Sequence, residues 1–231
     1  MRTATLALVL VSWSAAASAQ GVFAGNEDAP AVSVRPYFEL SRQRFAAGDT
    51  FDNVFGESSA PFWGAGAQVV FWKDRIYTEA GVSRIAREDS QLVGERVFVS
   101  SGTVYQLGIP LRSAIKPWKV AGGYRFHVSP RIIPYAGAGW TSYHYTEESD
   151  FAAPEEQLDT DGTGAVIQAG VEVRAHRWVG IVVGLERTRV TGILGNGGLS
   201  QLYTSGELQE GSDGEDDLGG WALQFRVVIG R

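Results

Sequence analysis

Two groups of residues in this sequence could do chemistry. His127-Val128-Ser129 sets an imidazole two positions from a hydroxyl, the kind of pair that activates serine for acyl transfer. The second group is acidic. Glu147, Glu148, Asp150, Glu155, Glu156, Asp159 and Asp161 fall in one stretch and Glu207, Glu210, Asp213, Glu215, Asp216 and Asp217 in another, with no Lys or Arg in either. Asp159, Asp161, Asp213 and Asp217 are the first candidates to ligate calcium or magnesium, hard cations that prefer oxygen donors. Neither stretch has EF-hand spacing, and a solvated acidic surface is the plainer reading. With Cys 0, thiolate chemistry and disulfides are excluded. His144 and His176 have no sequence spacing that suggests a metal site.

The elements that would position these residues alternate with period two. Over 165–186, Ala165, Ile167, Ala169, Val171 and Val173 share a face, Gln168, Glu172 and Arg174 take the other, and the pattern resumes after 175–177. Strands are expected at 33–42, 62–73, 75–86, 112–126, 132–146, 164–175, 178–191 and 219–229, each near the length of a tilted membrane-crossing strand. Their connections alternate between short turns and the long segments 43–61, 87–111, 147–163 and 192–218. A soluble sandwich has no reason to collect its long loops at one end, whereas a transmembrane barrel does. The expectation is therefore all-β: an eight-stranded antiparallel up-and-down transmembrane barrel over 33–231. Residues 95–107, ERVFVSSGTVYQL, read as a ribbon rising above the membrane; within the bilayer they would make ten strands.

Residues 1–19 join Arg2, an apolar run and the Ala17-Ser18-Ala19 pattern of a cleavable secretory signal, leaving 20–32 as a periplasmic N-terminal segment. Aromatic residues make up 11% of the 231 residues and recur eight apart in Trp63 and Phe71, Trp118 and Phe126, and Tyr135 and Tyr143. Eight residues of tilted strand rise by roughly 20 Å, close to the spacing of the two aromatic girdles of a membrane barrel. Trp178 and Trp221 complete the expected girdles.

That parity sends Arg35, Lys119, Arg125, Arg174 and Arg226 inward with Glu39, Glu79, Glu172 and Glu186. Buried charges persist when paired, so the balance predicts a salt-bridged, largely closed lumen; a pore would carry an excess of one sign. Arg187 and Arg189 point outward near the rim, where they could meet anionic lipid phosphates. The formal charge of −6 excludes the basic surface that nucleic acid requires.

The last strand, GGWALQFRVVIGR, together with PYAGAGW at 134–140 and AGGYRF at 121–126, resembles the small eight-stranded outer-membrane barrels of the OmpA, OmpX and OmpW type. The resemblance spans essentially the whole chain after residue 19. It implies a Gram-negative outer-membrane protein that is monomeric, inserted by the barrel-assembly machinery, and in contact with outer-membrane lipid and lipopolysaccharide. Such barrels usually end in an aromatic residue, and this sequence ends Ile229-Gly230-Arg231. A structural or surface-interaction role without enzymatic activity is expected, with no cofactor beyond calcium or magnesium at the acidic loops. A narrow channel for small or apolar solutes, as in the OmpW type, is the alternative. The His-x-Ser pair resembles that of outer-membrane lipid A deacylases, but it sits in a turn closed by Pro130 on the periplasmic side, so a lipid-modifying enzyme is the weakest reading.

Overall fold

The computed structural model describes residues 30–100, 103–149, 157–190 and 218–230. The expected signal segment, Asp213, Asp217 and most of the loop 192–218 lie outside the described residues. Along the chain run β1 (Val32–Phe45), helix α1 (Gly48–Phe55), β2 (Ser59–Phe71), β3 (Ile76–Ile85), β4 (Gln91–Ser100), β5 (Thr103–Arg125), β6 (Ile132–Glu148), β7 (Leu158–His176), β8 (Val179–Val190) and β9 (Gly220–Ile229). One antiparallel sheet runs in the order β3-β2-β1-β9-β8-β7-β6-β5-β4, and a β3–β5 pairing closes it. The closed ring therefore contains eight strands and omits β4.

Instead, β4 pairs with the outer part of β5, from Gln91↔Ala114 to Ser100↔Thr103, and forms the ribbon above the ring. Partners followed once round the ring, from Arg35 through Gln68, Glu79, Ala121, Gly139, Val166, Thr188 and Gly220, return to β1 at Phe45. This stagger fixes the strand tilt and the width of the bore.

Burial is inverted relative to a soluble protein. Arg35, Glu79, Arg125, Glu172 and Arg226 are buried, while Val34, Val82, Ile167, Leu223 and Phe225 are exposed and Trp140 reaches 73%. An apolar band encircling the whole molecule would be insoluble in water; hydrocarbon is its natural solvent.

The inner and outer ends differ. At the long-loop end, Phe45, Phe51, Phe62, Ile85, Leu92, Ile115, Tyr143, Tyr145 and Leu218 form a dry cluster, with Phe45 and Phe51 stacked at 4.0 Å. Helix α1 brings Phe51 there. Its apolar residues Phe51, Val54 and Phe55 follow helical spacing and share one face, and Gly56 closes it in a left-handed conformation at φ 71. The expected loop 43–61 thus contains a helix that packs into the apolar cluster at the barrel mouth.

Candidate functional site

The site is the charge network in the bore. Alternation along β1, β3, β5, β7, β8 and β9 aims Arg35, Glu39, Glu79, Lys119, Arg125, Glu172, Arg174, Glu186 and Arg226 inward. Toward the short-turn end, Arg35 grips Glu172 through a fork, Nη2 to Oε1 at 2.5 Å and Nη1 to Oε2 at 3.1 Å. Arg125 donates to the same carboxylate at 2.8 Å.

Nearer the middle, Arg226 donates from Nε to Glu39 at 2.6 Å and from Nη1 to both oxygens of Glu79 at 3.1 Å. Lys119 reaches Glu186 at 2.6 Å and Glu39 at 3.4 Å. The two groups join through amides. Gln68 accepts from Arg125 at 3.1 Å and donates to Glu79 at 3.4 Å, while Gln168 and Gln224 bridge Arg226 to Glu79 and Glu186. Each carboxylate meets at least one base, which is what burial of charge requires.

Three tyrosines fill the space left between these groups. Tyr77 and Tyr135 meet edge to face at 5.9 Å, Gln168 donates to the Tyr77 hydroxyl, and Arg226 lies 5.0 Å over the Tyr37 ring. Inward glycines make room for them. A methyl group at Gly66 would come within 2.6 Å of the Tyr37 ring, and one at Gly184 within 2.6 Å of the Tyr135 hydroxyl.

This packing corrects one expectation. Tyr135 and Tyr143 do not belong to the girdle: both are buried in the lumen, on the same face as Gly137 and Gly139. The outward face of β6 is Ala136, Ala138 and Trp140. Small residues alternate with aromatics on both faces of this strand, so eight-residue spacing could not tell them apart; the lumen takes the tyrosines because Gly170 and Gly184 leave a hollow for Tyr135. Trp63, Trp118, Phe126, Trp178 and Trp221 keep outward positions, with Phe71 at the foot of β2.

The short-turn end carries an anchor that alternation could not reveal. Asp74 lies in the turn after β2, where Trp72, Lys73 and Asp74 all take positive φ (56, 59 and 63), a left-handed run costly for side-chain-bearing residues. Asp74 forms ion pairs with Arg125 Nε at 3.1 Å and with Arg174, and its Oδ2 lies 3.0 Å from His127 Nε2. Burial alone would raise the Asp74 carboxyl, but the His127 hydrogen bond and the guanidinium groups of Arg125 and Arg174 hold it well below the usual carboxylate range. His127 thus faces Asp74, and Ser129 Oγ accepts the backbone N–H groups of Arg131 at 3.3 Å and Ile132 at 3.0 Å, capping its own turn.

Asp159 and Asp161 also lie elsewhere than expected. They stand on β7 rather than in a loop, both exposed beside His144 on β6, at 3.6 and 3.0 Å from its Nδ1. No group of three ligating side chains gathers for a metal among the described residues.

No family model matches the chain, and no curated protein matches it. Among solved structures it is similar to Ail, the attachment invasion locus protein of Yersinia pestis, at 11% identity over 87% of this chain and 97% of that one, with TM-score 0.46. It is similar to the N-terminal β-barrel domain of Pseudomonas aeruginosa OprF at 13% identity over 86% and 97%, with TM-score 0.46. It is also similar to the outer membrane protein OprG of Pseudomonas aeruginosa at 10% identity over 87% and 95%, with TM-score 0.48. The chain's own strand pairing and inverted burial make it an eight-stranded antiparallel β-barrel with an apolar exterior and a charged bore.

Proposed function

We propose that this chain is a structural and surface-interaction barrel of the bacterial outer membrane, with a sealed bore and no enzymatic activity. The network from Arg35–Glu172 through Gln68 and Glu79 to Arg226–Glu39 supports this reading, because it fills the bore with matched charge. A narrow barrel filled by its own side chains leaves no continuous water path. The apolar plug over the network adds a second barrier. What remains for interaction lies at the long-loop end: the β4–β5 ribbon, which exposes Val93, Tyr105 and Leu107, and the loops beside it. Proteoliposomes loaded with a neutral sugar or an ion-sensitive dye test the reading. Retention of both supports a sealed barrel; rapid escape of either argues for a channel.

One observation favours a second reading, passage of small apolar solutes through the wall. Pairing of β3 with β5 stops at Val82↔Trp118, and the next β5 residue toward the outer end, Pro117, has no N–H to continue the ladder. A recess at this seam is lined by Glu39, Lys119 and Tyr143 from the bore and by Ala65, Val82 and Trp118 from the outer face. Uptake of an apolar amine into sugar-retaining proteoliposomes, abolished by Pro117→Val, would favour this reading over the sealed scaffold.

A further inference from the structure

At the outer rim, Arg187 and Arg189 of β8, Arg42 and Arg44 of β1 and Arg84 of β3 face outward, with β9 and β2 between these strands in the sheet. Register brings them together around two tryptophans. Trp221 pairs with Arg187 on one side and Arg44 on the other, and Trp63 pairs with Arg84. Arg84 lies 4.1 Å over the Trp63 ring and Arg187 5.7 Å from that of Trp221. A guanidinium laid on a ring presents its N–H edge sideways, so the stack on Trp63 sets the direction in which the Arg84 donors point. Arg42 is held by Nε and Nη2 donation to Ser59 Oγ at 3.2 and 3.1 Å.

Two further facts make this sector specific. Tryptophans on the outer part of a barrel mark the headgroup level, so these arginines stand at the depth of lipid phosphates. The outward positions of the five strands contain no Asp or Glu. The opposite rim is mixed, with Glu148, Asp159 and Asp161 among Arg112, Lys116 and His144. Positive charge at headgroup depth is therefore concentrated on one side of the barrel.

We propose that this arginine–tryptophan sector is a binding site for the phosphate groups of a phosphorylated glycolipid in the outer leaflet. The inference rests on the outer-membrane reading above and adds a ligand class and a location. Planar guanidinium forks match the oxygens of a terminal phosphate, which is doubly charged and open on three sides; the phosphodiester of an ordinary phospholipid offers less of both.

The test uses full-length refolded barrel in detergent micelles, with retained lipid counted by native mass spectrometry. The probes are bis-phosphorylated lipid A, the same lipid dephosphorylated, and phosphatidylglycerol. Bis-phosphorylated lipid A should be retained about tenfold more tightly than either of the others. The combined change Arg44→Gln, Arg84→Gln and Arg187→Gln should abolish that preference, while Arg112→Gln with Lys116→Gln on the opposite rim should leave it intact. All variants are required to keep the gel shift of a folded barrel on heating. These side chains lie outside the bore, so a sealed lumen tested by solute retention stands or falls independently. Equal retention of all three lipids, equal loss from both rims, or full retention by the triple variant would overturn the site.

Discussion

Glu172 is the residue on which the network leans most. It accepts from Arg35 and Arg125 while almost wholly buried, so Glu172→Gln strands two guanidinium groups without a counter-charge. Loss of one partner from such a pair costs about 3–5 kcal/mol, and urea unfolding from lipid vesicles should show a drop of that order. Asp74 gives a pH signature at the short-turn end. Its carboxyl is depressed in the folded barrel, so its stabilisation is complete above the ordinary value of 3.8 and is lost as pH falls toward the folded value. The intact barrel should thus lose stability below about pH 4 more steeply than Asp74→Asn, which starts about 1–3 kcal/mol weaker at pH 7. Parallel pH-dependence in the two would remove Asp74 from this role. The inward charges were legible in the sequence because their strands alternate cleanly between Val, Ile or Leu and charged residues. Asp74 was not, because it owes its contacts to a turn in a left-handed conformation that alternation does not describe.

At the scale of elements, β7, β8 and β9 were the easiest to read. Each sets aliphatic residues against polar ones, so one face names the solvent of the other. In β6, tyrosine and glycine on one face oppose alanine and tryptophan on the other; neither face is polar enough to mark the bore. Glycines on the neighbouring strands would have settled it, since Tyr135 needs the hollows at Gly170 and Gly184. The ribbon followed from alternation around Ser100 and Ser101. Helix α1 went unread because eight residues inside a long connection give a weak periodic signal, although Phe51, Val54 and Phe55 carry it. Its packing through Phe51 predicts the behaviour of Phe51→Ala. Removing this stacked ring should lower the local cost of opening α1 by about 3 kcal/mol, seen as faster amide exchange over 48–55 while the barrel strands stay protected. Uniform loss of protection across all strands would instead make α1 part of the global fold.

For the whole molecule, closure through β3–β5 leaves the ring itself without a free edge, and inverted burial makes the exterior suitable for lipid. The same closure brings charged side chains together in a narrow bore, where they pair with one another. On the sealed reading proposed above, fold and closed lumen are one consequence of the same alternation. Conductance of single refolded barrels in planar bilayers, at neutral pH and molar salt, tests this most directly. A flat baseline with at most rare, brief openings is expected of the unmodified protein. Large, stable, ion-selective steps from the unmodified protein would contradict it.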